Sequence, residues 1–385
     1  MMPPGLYARV HYLDRLTLKA MKALVRASTV VFLPVGMLEE HGNHLPLGTD
    51  TFAVDGLTQA AAAWLLENDP QLHVLLAPTI PYGIDPIETR RQELFTQAGG
   101  VWISRETLKS LVTDIAEHLI RYGFRYIFPI SFHGGPDQCL VLAEVCSEIR
   151  TRHPGVVMYE PIGYVLAGAE QDVSPGLATL LGRPLTPKEE VALSGSIHAS
   201  MFETSLMLYL APEMVDPSYK LLRTLEWHQL YQMPDWPGYI GAAPAHADAE
   251  IGGAVLRWRG VRTAALIRRA MDGEDLSSLP RHPKWLAEEA EALGISEAPH
   301  LELPADHSPT VDSKPVMFIP QNKLDELAAQ READEDEEDL EDTEVDLSPP
   351  AESKPAQEQA TPPSSAFETK PSFRPSGADD PTHSD

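Results

Sequence analysis

The chain has 385 residues, 43% of them hydrophobic, which is enough for a sizeable core in one large α/β domain or two smaller ones. Its 30 Lys and Arg against 57 Asp and Glu give a net charge of −27, which argues against broad contact with a nucleic-acid backbone. Two cysteines, Cys139 and Cys146, supply no disulfide framework, and no run approaches the ~18 apolar residues of a membrane span.

Near the start, Arg9, Asp14, Arg15, Lys19 and Lys22 interrupt any apolar leader, so a soluble, cytoplasmic protein is expected. Val30 to Val35 reads as a buried strand, Phe52 to Leu66 as a helix and Val74 to Ala77 as a second strand. Leu108, Leu111, Val112, Ile115 and Leu119 recur with helical period, and Gly123 sits where a helix-ending glycine belongs. A strand over Tyr126 to Ser131, a helix over Asp137 to Arg150 and a strand over Val156 to Tyr159 follow. Cys139 and Cys146 share one face of that helix and read as small buried hydrophobes. The alternation implies βαβ units: a three-layer αβα domain over residues 1–285 with a mostly parallel sheet. Ligands of such sheets bind beyond the carboxyl ends of the strands.

Residues 286–385 read as a linker and tail. Residues 301–385 hold 22 acidic and 6 basic side chains, and Glu332–Asp346 alone has 11 acidic residues. Pro, Ser, Ala and Thr dominate 348–385. Such a composition buries too little apolar surface to offset its ordering entropy, so a disordered tail is expected. It either solvates the chain or docks a protein partner, and its removal is expected to leave catalysis intact.

Three clusters of chemically capable residues keep the strand rhythm. After the Val30–Val35 strand come Glu39, Glu40, His41, His44, Thr49 and Asp50. After the Tyr126–Ser131 strand come His133, Gly134, Gly135 and Pro136. The third cluster is His198 and Glu203, on a loop and an adjoining helix start, ahead of an apolar run. Carboxylates with imidazoles suit Zn, Mn or Fe. Singly, each cluster also reads as an ordinary loop; together they point to one site.

The combination resembles the creatininase (creatinine amidohydrolase) family of metal-dependent hydrolases. Leu33 to Pro46 is similar to the family's Leu-Pro-Val-Gly-x-x-Glu-Gln-His-Gly-x-His-Leu-Pro, with Thr49-Asp50 downstream. His133-Gly134-Gly135 resembles its Asn-Gly-His-Gly-Gly-Asn, and His198 to Ser205 its His-Ala-Gly-x-x-Glu-Thr-Ser. Pro81-Tyr82-Gly83 matches a Tyr-Gly segment, and Gly99 to Ser104 a Gly-Thr-Ile-Ser-like strand start. The likeness covers about residues 6–270.

The resemblance implies that Glu39, His41, Asp50 and His133 are metal ligands, with Asp50 bridging two ions. In creatininase a Glu two residues beyond the second-motif His is also a ligand. Gly135 stands there in this chain, so Glu203 is inferred as the missing carboxylate. His198 is the expected proton donor, catalytic together with Glu203, and His44 lies behind the ligands. Glu40 replaces the usual Gln, Pro136 an Asn, and the His that many relatives carry shortly after Tyr-Gly is absent near Thr89.

The implied activity is hydrolysis of a non-peptide C–N bond in a cyclic amide or formamide-like small molecule, by hydroxide formed at one or two divalent ions. A homo-oligomer, often a hexamer in this family, is implied, without nucleic acid or membrane as partner. Relatives open creatinine, deformylate nucleotide-derived formamides, hydrolyse a cyclic inositol derivative and trim a modified peptide. Two rival readings stand beside this one: a catalytically altered, metal-binding or metal-free scaffold with an acidic interaction tail, and a peptidase-like member. Trp227, Trp236 and Trp258 read as core or interface aromatics, or as pocket lining.

Overall fold

The computed structural model describes residues 4–24, 26–84, 100–167, 169–226, 229 and 237–281. All belong to the first of two units, Met1–Leu327. The linker and tail expected over 286–385, the segment around Thr89, and Trp227 and Trp236 lie outside the described residues.

Strands β1 (Val10–Tyr12), β2 (Thr29–Val35), β3 (His73–Leu76), β4 (Tyr126–Ser131) and β5 (Val157–Met158) form a sheet of order β1-β3-β2-β4-β5. Every neighbouring pair is parallel. Helices α1 (Leu18–Ala23), α2 (Thr49–Asn68), α3 (Arg105–Arg121), α4 (Pro136–Arg152) and α5 (Ile162–Ala167) alternate with or follow these strands. Beyond them come α6 (Ala169–Leu181), α7 (Pro187–Ser194), β6 (Ser196–His198), α8 (Met201–Leu210), β7 (Ile240–Gly241) and α9 (Ala249–Met271), with β6 and β7 pairing antiparallel.

Side chains alternate across a strand, and β2 shows what that does in a sheet covered on both faces. Val30 and Phe32 enter one core with Val54, Leu57 and Leu65 of α2 and Ala264 and Ile267 of α9. Val31, Leu33 and Val35 enter another with Leu108 and Val112 of α3 and Val141 and Val145 of α4. β2 is therefore apolar throughout rather than alternating. The expected parallel, three-layer architecture is the one found.

Local detail refines the sequence reading. Ser104 caps α3 by accepting from the Thr107 N–H at 3.2 Å, and Gly123 leaves that helix with a φ of 93°, where a Cβ would be strained. The buried stripe of α3 is Leu108, Val112, Ala116 and Leu119; Leu111, expected with them, is exposed. Of the strand start expected at Gly99–Ser104, Gly99 lies outside the described residues, and Val101 makes an isolated antiparallel bridge to Leu38 shortly before the Ser104 helix cap. Cys139 and Cys146 are free and buried, and Trp258 packs in the α2–α9 core. Among the described residues no helix is long and apolar enough to cross a membrane.

Candidate metal centre

The chain leaves β2 toward β3 on one side and leaves β4 toward β5 on the other, so a crevice opens between their carboxyl ends. The β2–β4 register ends with Val35 beside Ser131, which brings residues 36–41 and 132–133 together. Close packing then narrows the crevice. A Cβ at Gly36 would lie 2.5 Å from Thr51 Oγ1, and one at Gly83 would lie 2.0 Å from Gln138 Oε1. The Tyr-Gly glycine is thus required by a neighbouring amide. Buried Gln138 donates to Ser131 Oγ at 2.9 Å and to the Gly36 carbonyl at 3.4 Å, and it accepts from Ile84 N–H at 3.0 Å. One side chain ties the end of β4 to the loops that follow β2 and β3.

Within the crevice His133 Nδ1 lies 3.1 Å from Glu39 Oε2 and 3.2 Å from Asp50 Oδ2. His41 Nε2 lies 4.0 Å from the same Asp50 oxygen and 3.7 Å from Glu203 Oε2. His198 Nδ1 is 3.8 Å from Glu39 Oε1, and its ring centre is 4.5 Å from that of His41. Backbone carbonyls orient each imidazole through its other nitrogen. His41 Nδ1–H donates to Glu39 O at 3.0 Å, His133 Nε2–H to Ile84 O at 3.2 Å and His198 Nε2–H to Glu40 O at 2.7 Å. These tautomers follow from the partners, and they turn His41 Nε2 and His133 Nδ1 toward the carboxylates as lone-pair donors.

The β6–α8 turn supplies the far wall. His198 ends β6 rather than lying on the expected loop, and Glu203 stands in the first turn of α8. Between them Ala199 takes a φ of 47°, a left-handed conformation costing an alanine roughly 1–2 kcal/mol. Its N–H donates to Glu203 Oε2 at 2.5 Å, so the strained turn helps aim that carboxylate at His41. Behind the ring of donors, His44 Nε2–H donates to Thr204 Oγ1 at 3.1 Å.

Burial and charge compete throughout. Burial opposes ionisation of Glu39, yet the imidazoles of His198, His133 and His41 hold its pKa at about 2. Burial likewise opposes protonation of His133, but Glu39 and Asp50 raise its pKa well above the ordinary value. For His198 the carboxylates of Glu39, Glu203 and Glu40 outweigh burial and bring it to about 9. His44 is taken by burial down to about 4 and stays neutral.

Three donor sets lie within reach of a single ion each, their atoms within 4.8 Å of one another: Glu39, Asp50 and His133; His41, Asp50 and Glu203; and Glu39, His41 and His198. The fit to a cation is physical. With His133 neutral and its one N–H on the Ile84 carbonyl, Glu39 Oε2, His41 Nε2 and Asp50 Oδ2 are buried with no hydrogen-bond partner, and buried polar atoms are rarely left so. Mixed carboxylate and imidazole donors suit a first-row divalent ion.

The structure therefore brings Glu39, His41, Asp50, His133, His198 and Glu203 into one cluster. Pro136 takes the first turn of α4, where a missing N–H costs nothing. Two residues escaped the sequence reading, Gln138 and Arg259. A lone amide and a lone arginine on helices give no local signal; only the neighbours they meet reveal them.

Comparison with known proteins places the chain in a family. The family profile described as Creatininase: Creatinine amidohydrolase matches residues 14–267. The mycofactocin precursor peptide peptidase of Mycobacterium tuberculosis is 29% identical over 209 residues, covering 54% of this chain and 68% of that protein. The creatinine amidohydrolase of Pseudomonas putida is 27% identical over 207 residues, covering 53% of this chain and 74% of that protein. A crystal structure of creatinine amidohydrolase aligns with a TM-score of 0.49 at 21% identity, over 68% of this chain and 98% of that one. With two-thirds of its length matched by the family profile, the chain belongs to the creatininase family of hydrolases.

Proposed function

We propose that this chain is a divalent-metal-dependent hydrolase that cleaves a non-peptide C–N bond, in a cyclic amide or formamide-like small molecule. The observation that carries the reading is the set of three buried, unpartnered donor atoms on Glu39, His41 and Asp50. Glu39, Asp50 and His133 would hold one ion, and His41, Asp50 and Glu203 a second, with Asp50 common to both sets. Zn, Mn and Fe all suit these donors. Such an ion supplies Lewis acidity and lowers the pKa of a bound water toward ~7.

The chain's own residues do the rest. His198 lies beside both donor sets, its Nε2–H anchored on the Glu40 carbonyl and its Nδ1 facing the cluster. Held so, it delivers a proton from Nδ1 to the leaving nitrogen. The Gln138 network fixes the loops bearing Glu39 and His133, so the donors need little reorganisation.

A peptide-end substrate is the second reading, favoured by the likeness to the mycofactocin precursor peptide peptidase. The test is metal stoichiometry beside turnover on lactams, formamides and short peptides, with and without chelator. Glu203→Gln should lose metal and activity together. His198→Ala should keep its metal and lose roughly 10²–10⁴ in turnover, the usual contribution of a positioned acid. Full metal in Glu203→Gln with loss in His198→Ala would interchange the two roles. A chain that purifies and reconstitutes without metal would end the proposal.

A further inference from the structure

One charged side chain beside the centre has no task in the chemistry above. Arg259, on α9, is partly exposed between buried Trp258 and Gly260. Its guanidinium carbon lies 4.7 Å from the centre of the Phe132 ring and 4.5 Å from that of Phe202. The two rings are themselves stacked at 6.1 Å and 20°. Each is the chain neighbour of a site residue, since Phe132 precedes His133 and Phe202 precedes Glu203. Burial lowers the Arg259 pKa to about 10 while the Glu203 carboxylate opposes the shift. The side chain is therefore a cation at neutral pH, within electrostatic reach of the centre.

The two rings orient the guanidinium plane by cation–π contact, but they accept none of its hydrogen bonds in the plane of the fork. Among the described residues no hydrogen bond or ion pair reaches its N–H groups. The fork of five donors thus meets no acceptor from the described residues and reaches solvent on its exposed side, where a bound acceptor can replace water. The acceptor that matches it best is a carboxylate, which takes two parallel N–H bonds. Glu203 does not fill this role: among the described residues it makes no ion pair with Arg259, and its Oε2 accepts from Ala199 N–H and faces His41.

We propose that Arg259 is a specificity-determining residue that receives a carboxylate borne by the substrate, so that the substrates of this site are amides with a free carboxylate near the scissile C–N bond. The inference rests on the hydrolase reading for the location of that bond, but binding tests it separately. The experiment is calorimetric titration of the full chain, metal-loaded and chelated, with N-formylglycine against N-formylglycinamide and with pyroglutamate against its amide. The carboxylate member of at least one pair should bind about tenfold to a hundredfold more tightly in both forms of the protein. Arg259→Gln should abolish that preference, and Arg259→Lys, which keeps charge without the fork, should retain only part of it.

No preference in the wild-type chain, no measurable binding by either carboxylate, or a preference that survives Arg259→Gln would overturn the assignment. So would a preference abolished by chelation alone, which would place the carboxylate on the ion. The chelation arm needs no variant and holds even if Arg259→Gln folds poorly. A chain that hydrolyses both members of each pair equally keeps the proposed chemistry and loses the Arg259 role. A chain that binds carboxylates through Arg259 yet hydrolyses no amide keeps the role and loses the chemistry.

Discussion

Two regions of this molecule gather carboxylates and cationic groups, and they settle their charge in different ways. Between α3 and α4, Arg105 Nη2 meets Glu144 Oε2 at 2.9 Å, and Lys109 reaches both Glu144 and, at 2.7 Å, Glu148. Those pairs are partly exposed and every carboxylate has a permanent cation. At the carboxyl end of the sheet, Glu39 and Asp50 are each 1% exposed and are faced by imidazoles. An imidazole that ligates an ion must be neutral, so it cannot also neutralise these carboxylates. In the surface cluster both carboxylates are paired as folded, and the one buried atom without a partner is a donor, Arg105 Nη1. On the proposed reading the buried cluster would be balanced by a divalent ion, and the three unpartnered donor atoms are where it would sit.

The largest effect expected from breaking this contrast is Asp50→Asn. It removes the carboxylate common to the two proposed ion sites, and losing several kcal/mol of metal-assisted stabilisation corresponds to at least ~10³ in turnover. Elemental analysis should show the metal gone as well; full metal content in this variant would refute the shared-ligand assignment. Next in size is the metal itself. At a free concentration about 100 times Kd, a bound ion stabilises the fold by about 2.7 kcal/mol. The chelated chain should therefore melt measurably lower than the loaded one, and Asp50→Asn should erase the difference.

Glu144→Gln sharpens the contrast from the other side. It removes a surface carboxylate worth at most about 1 kcal/mol, so its melting temperature should fall slightly while metal content and turnover stay at wild-type levels. The smallest effect concerns pH. Arg183 donates two 2.8 Å bonds to Glu189, and this pairing, with the Thr186 N–H, holds the Glu189 pKa at about 2 against a usual 4.5. A depressed carboxylate stabilises the fold above its ordinary pKa, and that stability is lost as pH falls from about 4.5 toward about 2. The melting gap between wild type and Glu189→Gln should close across that window. A gap constant down to its lower end would show that the pair contributes packing rather than charge.

By itself the sequence determined the parallel sheet and most of the donors, because both depend on local pattern. Runs such as Val30–Val35 and Tyr126–Ser131 are too apolar and too short to be anything but buried strands once helices flank them. Glu39, His41 and His133 follow those strands directly, so locating the strands located these candidate ligands. Only the tertiary structure decided what happens between distant segments. β1, three residues long, is defined by its pairing with β3 rather than by any periodicity of its own. Glu203 meets His41 because Ala199 takes a left-handed turn after a two-stranded sheet that no pattern announced. Gln138 ties two loops to the end of β4 and Arg259 rests on two phenyl rings through contacts spanning tens of residues to more than a hundred. Such partnerships are set by how the layers pack, since the free energy of a buried polar group depends on the neighbours that folding brings to it.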